Sequence, residues 1–199
     1  MRLSFSRLNA GGGIFLSSFP PRLVVELGMG DGRLLEILAK HNCSSIYIGI
    51  ELNNEQCVQA RSRINLSNVA IMNSSFEDIV PTFLDESVDQ FIAVLPDPTF
   101  IDQKKEEQWK PFYRSVYRKL KKQGRLQLVT ELTDELLQPV SDDRYSAWAD
   151  WLKSCFISLG FSLVGQQDGA PVQYSSRCIE QFRGDLERIR MITLDLLKR

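Results

Sequence analysis

One histidine, His41, and four widely spaced cysteines (Cys43, Cys57, Cys155 and Cys178) leave little from which to build a metal centre. There is no CxxC pair and no Cys/His cluster, so neither a zinc site nor a disulfide framework is expected. Each cysteine reads as a small, partly buried residue of a reducing compartment, which points to the cytoplasm. Long apolar runs are also missing: none approaches the roughly 18 residues that a membrane span requires. Met1-Arg2-Leu3-Ser4-Phe5-Ser6 carries a basic residue, but Gly11 to Gly13 interrupts it before an apolar stretch of signal-peptide length develops. Nor is there an excess of charge: 24 Lys and Arg stand against 25 Asp and Glu, a formal net charge of −1. Overall charge therefore does not mark the chain as a polyanion binder.

What is present describes an ordinary globular chain. Its 199 residues, 43% hydrophobic and 25% charged, suit one domain over 1–199 with a full core. The charge is unevenly placed. Nine basic residues (Lys104, Lys105, Lys110, Arg114, Arg118, Lys119, Lys121, Lys122, Arg125) fall between 104 and 125 against Glu106 and Glu107, and six acids follow between 131 and 150 against Arg144. Such a basic run serves as a solvated helix face or as a phosphate-binding patch led by Lys104 and Lys105.

Short β-rich runs alternate with helical stretches. Strands are expected at Leu23–Glu26, Tyr47–Ile50, Ala70–Met72, Gln90–Val94 and Arg125–Val129. Helices are expected near Arg33–Ala39, Asn54–Ile64, Phe76–Phe83, Lys104–Lys122 and Tyr145–Leu159, the fourth ending on Gly124 as its cap. The alternation predicts an α/β fold with a mostly parallel sheet and helices on both faces. Phe161–Val164 and Leu186–Leu194 read as two strands separated only by a loop, a hairpin at one sheet edge with one strand antiparallel.

Ligands in such folds sit beyond the carboxyl ends of the strands. The turn after the first strand reads Glu26-Leu27-Gly28-Met29-Gly30-Asp31-Gly32. Its glycines permit positive φ and close approach of a ligand. A dinucleotide GxGxxG would place its third glycine at 33, where this chain has Arg33. The ExGxGxG spacing instead suits a ligand without pyrophosphate whose amino group and sugar attract carboxylates. Glu51 closes the second strand, placed to accept two ribose hydroxyls, and Glu26 ends an apolar strand where an unpaired carboxylate is costly. Ser75-Phe76, after the third strand, stands where an adenine is held; Phe76 reads equally as core.

Asn68-Val69, Asp78-Ile79-Val80-Pro81, Ser87-Val88-Asp89 and Pro96-Asp97-Pro98 together resemble the tRNA (guanine-N7)-methyltransferases, in register from about Leu23 to Val129. The resemblance implies a Rossmann-like class I methyltransferase fold with a seven-stranded sheet, S-adenosylmethionine (SAM) as cofactor and tRNA as partner. It makes Asp97 the catalytic or guanine-orienting carboxylate, and gives Glu26, Glu51 and Ser75 to SAM. Glu131 stands for a substrate-contacting aspartate, and Glu180 ends a motif in which Arg177, or Ser176 after a one-residue shift, replaces threonine. The chain departs from the family at Ile101, where a lysine is usual, and at Ser75, where an aspartate is. Two rival readings stand beside it: methylation of a small molecule or protein, supported by the lost basic run after Pro98 and the mild acidity, and a non-catalytic relative that binds tRNA or protein, supported by Ser75, Ile101 and Arg177.

Overall fold

A computed structural model describes residues 20–134, 136 and 138–199; the N-terminal stretch read above against a signal peptide lies outside them. Each strand but the last in sequence is followed by a helix. These are β1 (Leu23–Leu27), α1 (Arg33–His41), β2 (Ile46–Glu51), α2 (Asn54–Arg63), β3 (Val69–Asn73), α3 (Phe76–Ile79), β4 (Val88–Val94), α4 (Glu106–Lys119), β5 (Leu120–Thr133) and α5 (Asp142–Ser158). The chain closes with β6 (Phe161–Asp168), α6 (Arg177–Arg183) and β7 (Ile189–Lys198). The sheet has the order β3-β2-β1-β4-β5-β7-β6, and β7 runs antiparallel to both β5 and β6. This is the expected mostly parallel seven-stranded sheet.

Helices cover both faces, so the central strands are buried throughout rather than alternately. One core joins the sheet to α4 and α5 through Phe91, Trp109, Tyr113, Leu126, Leu128 and Phe156. The other lies under α1, α2 and α6, with Leu35, Ala60, Ile92, Val129 and Ile179. Polar residues set where the helices begin: Asn53 accepts from the amides of Glu55 and Gln56, Ser75 from Glu77 and Ser141 from Arg144. No helix of the described residues is long and apolar enough to cross a membrane, and no cluster of His, Cys, Asp and Glu among them could hold a metal.

Four expectations are corrected. The basic helix stops at Lys119, not Lys122, and Gly124 is no cap. Leu120 is drawn fully into the core and opens β5 directly. The next residues bulge out of the sheet, since Val88 pairs with Leu120 but Gln90 with Arg125. Gln123 sits at φ 62°, and a Cβ on Gly124 would lie 2.8 Å from the Lys121 carbonyl oxygen. The Phe76–Phe83 helix is cut to α3 and a 3-10 turn at Val80–Thr82 that contains Pro81. The last two strands are separated by α6, and β7 is displaced to Ile189–Lys198 because its apolar run fills the gap between β5 and β6, whereas Leu186 is exposed. Of the cysteines, Cys57 and Cys155 are buried, but Cys43 and Cys178 are exposed.

Trp109 ties these parts together. Its ring is buried against Tyr113, Trp151 and Phe156, and its indole N–H donates to the Asp102 carbonyl oxygen at 2.8 Å. It thus pins the loop after β4 to the helical layer. Trp109→Ala is expected to lower stability by about 3–5 kcal/mol, as measured by urea unfolding; an unchanged midpoint would refute that role.

Candidate functional site

The neighbours of β1 lead in opposite directions, to β2–β3 and to β4–β5, so the strand ends diverge at this point. A cleft of about 810 Å³ opens there, lined among others by Glu26, Gly28, Gly30, Glu51, Phe76 and Asp97. The glycine turn is stitched to β2: the amides of Gly28 and Met29 both donate to the Ile50 carbonyl oxygen, at 2.9 and 3.0 Å. Gly30 N–H donates to Glu51 Oε2 at 2.9 Å, and Glu51 Oε1 accepts from Asn53 N at 2.8 Å. Asn73 Nδ2 holds the carbonyls of Glu51 and Leu52 from β3, each at 3.0 Å. All three glycines have positive φ. A Cβ on Gly28 would meet nothing within 4 Å, so this glycine faces open cleft. Gly32 serves another purpose: a Cβ there would lie 2.9 Å from Ile64 Cδ1, so it lets α2 pack against the turn and does not line the cleft.

Glu26 is only 3% exposed, and its Oε2 has no hydrogen-bond partner among the described residues. Burial, then the charges of Asp31 and Glu51, push its pKa up to about 8, against a lowering by the Leu35 amide at the start of α1. It lies in one row across the sheet with Ile92, Gln127 and Asp195. Gln127 donates to Asp195 Oδ1 at 2.8 Å and accepts from the Tyr174 hydroxyl. An unpartnered buried carboxylate facing a cleft calls for a cation or a strong hydrogen-bond donor.

The opposite wall comes from the end of β4. Leu95 takes φ 49°, a strained value for a branched side chain, and its amide donates to the Val129 carbonyl oxygen at 2.8 Å. Asp97 follows and caps the 3-10 turn Pro98–Phe100: its Oδ1 accepts from Thr99 N and Thr99 Oγ1 at 2.9 and 2.7 Å, which lowers its pKa. It therefore both rigidifies the turn and borders the cleft. Glu131, on β5, is held in the opposite sense. Burial and the charge of Asp97 raise its pKa to about 7, and its Oε2 also lacks a partner among the described residues. Phe76 borders the cleft with its ring 4.7 Å from Phe100 and 5.1 Å from Phe112, so it belongs to the core and to the site.

The structure does not bring every expected residue to the cleft. Ser75 is spent capping α3. Glu131 and Glu180 do not line the cleft; Glu180 accepts from Ser175 Oγ at 2.6 Å. Lys104 and Lys105 sit on the 3-10 turn Gln103–Lys105, outside the lining. The side chain of Arg177 lies outside the described residues, while Ser176, its alternative, lines the cleft and caps α6. Sequence reasoning missed Asn53, Gln56, Leu95, Ser175 and Cys178. Only Asn53, a turn-forming residue two positions after Glu51, carried a readable cue. The segment before α6 joins the wall because the Arg183 guanidinium donates to the carbonyls of Ala170, Pro171 and Tyr174, a contact with no local pattern.

These features fit SAM: Gly28 leaves room beside the backbone, Glu51 offers a carboxylate to a ribose, and Glu26, with its orphaned oxygen, is part of the same lining. Fold and cleft together define a SAM-dependent methyltransferase domain. The chain belongs to the methyltransferase family Methyltransf_4, described as "Putative methyltransferase", whose model matches residues 21–144. The chain is 27% identical over 141 residues to a tRNA (guanine-N(7)-)-methyltransferase of Campylobacter fetus, covering 69% of this chain and 32% of the relative. It is 25% identical over 113 residues to a bifunctional glycosyltransferase/methyltransferase of Fusobacterium nucleatum, covering 55% of this chain and 18% of that protein. The chain thus spans about a third or less of the length of these curated relatives. Among solved structures, it superposes on the 16S rRNA methyltransferase KamB with a TM-score of 0.69 at 13% identity, covering 89% of this chain and 87% of that one. Against M. jannaschii TYW2 in complex with AdoMet the TM-score is 0.57 at 16% identity, covering 92% and 71%.

Two outcomes are expected. With a folded pKa near 8 against an ordinary 4.5, Glu26 binds more protons folded than unfolded between those values. The ligand-free protein should then lose stability as pH rises through this window, by at most about 1.4 kcal/mol per pH unit from this group. Melting curves from pH 5.5 to 8.5 should be flatter for Glu26→Gln; an identical pH dependence would remove Glu26 as the source. Glu51→Ala should weaken SAM binding by about 1–3 kcal/mol in calorimetry, and unchanged affinity would contradict the ribose assignment.

Proposed function

We propose that this domain transfers the methyl group of SAM to N7 of a guanine in tRNA, in the cytoplasm. The observation that carries the reading is the Leu95-Pro96-Asp97-Pro98 turn, which sets a carboxylate on the rim of the SAM-binding cleft. The curated tRNA (guanine-N(7)-)-methyltransferase relative supports the choice of nucleoside.

The cofactor supplies an electrophilic methyl group on a positively charged sulfur. Guanine N7 carries an in-plane lone pair, so the protein needs no general base and acts by alignment. Asp97 would accept hydrogen bonds from the guanine edge and favour the positive charge that develops on the base. Its Oδ1 is already held by Thr99, so the carboxylate is preorganised before substrate arrives. Glu131, on β5 outside the cleft lining, has its pKa raised to about 7 by burial and by Asp97, so at pH 7 it adds less than a full negative charge beside Asp97. A small-molecule or protein substrate is the second reading. It is favoured by the buried Ile101, where the family has a lysine, and by Lys119 and Lys121, which are paired internally to Asp85 and Asp89.

Asp97→Asn tests the proposal cleanly, because the amide oxygen can still accept from Thr99 and keep the turn. The single-turnover rate with labelled SAM and bulk tRNA should fall about 100-fold, with SAM affinity and melting temperature little changed. Nucleoside mass analysis should find 7-methylguanosine in the wild-type reaction. A normal rate in the variant, or methyl transfer to another nucleoside, would overturn the assignment.

A further inference from the structure

We propose that the end of the sheet opposite the cleft, where α4 ends and β5 begins, is a docking surface for the sugar–phosphate backbone of RNA. The choice of RNA as the polyanion rests on the proposed function; the surface itself does not. The cleft lies at the carboxyl ends of the parallel strands, whereas Leu120 pairs with Val88 at the amino end of β4. A hollow of about 400 Å³ opens at that far end, lined by Pro111, Arg114, Ser115, Tyr117, Arg118 and Leu159. Arg114 and Arg118 are one turn apart on the exposed face of α4, and Lys122 is exposed in the bulge that follows.

The acids at this end are already engaged. Lys119 holds Asp85 at 2.7 Å, Lys121 holds Asp89 at 2.7 Å and Lys198 holds Glu86 at 3.4 Å. All three of these lysines are at least partly buried. Arg114, Arg118 and Lys122 have no ion-pair partner among the described residues, and Arg118 acts on Asp85 only through space. Cations in the last turn of a helix are expected where they offset its dipole. That accounts for Arg118 but not for Arg114, a turn earlier, nor for Lys122, beyond the helix. Two arginines without an ion-pair partner on the rim of a concave surface, with a serine between them and Lys122 exposed on the bulge beyond, form an anion-binding arrangement. Distributed single charges, rather than one deep pocket, suit a polymer of phosphates.

The test uses the full chain and a fluorescent RNA duplex of adenine and uracil only, which offers the cleft no guanine. Wild type should bind it with an affinity that falls linearly in log–log form with salt. The variant Arg114→Gln/Arg118→Gln/Lys122→Gln should bind at least 10-fold more weakly at about 0.15 M salt, with the slope reduced by about 2–3. SAM affinity should be unchanged, and the single variants, less prone to perturb folding, should each give part of the effect. Asp97→Asn should bind the duplex like wild type. No binding by wild type, equal binding by the triple variant, or displacement of the duplex by polyglutamate as readily as by unlabelled RNA would each overturn the proposal. Duplex binding through this end together with no guanine methylation would sustain the surface and refute the proposed function instead.

Discussion

The hydrogen bond from the Gly30 amide to Glu51 Oε2 is the constraint on which the cofactor half of the site depends. It joins the turn after β1 to the end of β2, beside the two amides that share the Ile50 carbonyl. A glycine turn at positive φ has high conformational entropy when unbound. Three tethers to one neighbouring strand remove much of that freedom before a ligand arrives. The same carboxylate also holds Asn53 N–H and thereby the start of α2. Glu51 is thus a structural clamp that also lines the cleft, and the glycines can stay small without the loop becoming loose.

The acid side chains of the site are held in different ionisation states by their surroundings. Thr99 donates twice to Asp97 and favours its charged form. Glu26 and Glu131 receive little compensation for their burial, and both rise towards neutrality. Each also feels neighbouring carboxylates, Asp31 and then Glu51 in one case and Asp97 in the other. Pairs of this kind limit the repulsion between neighbouring acids, of which Glu26, Glu51 and Asp97 line the cleft and Glu131 does not. The cost is two carboxyl oxygens that lack partners among the described residues, and only that of Glu26 belongs to a residue lining the cleft, where a ligand can supply one. The strained Leu95 belongs to the same economy, since its amide bond to Val129 directs the chain into the turn that presents Asp97.

How much of this was legible in the sequence depended on the range of the cause. The strand–helix alternation, the glycine turn, Glu51 at a strand end and Asp97 after β4 were all readable, because hydrophobic period and turn chemistry act over a few residues. The error at Lys119–Gly124 shows the limit. A run of basic residues followed by glycine has the local form of a helix end, yet Leu120 is taken into the core and the strand begins at once. Long-range packing outweighed a local preference worth a few tenths of a kcal/mol per residue.

The sequence by itself determined the fold class, the position of the cofactor turn and the acids that border it. Tertiary structure decided which charges remain available. Lys119 and Lys121 find Asp85 and Asp89 more than 30 residues away, and so leave the pool of surface cations. Arg183 draws the segment from Ala170 to Tyr174 towards α6, bringing Ser175 and Ser176 to the cleft wall. The basic run was visible as a stretch of letters. Its division between buried partners at one end and uncompensated arginines beside them came from strand register and burial, which no local pattern encodes.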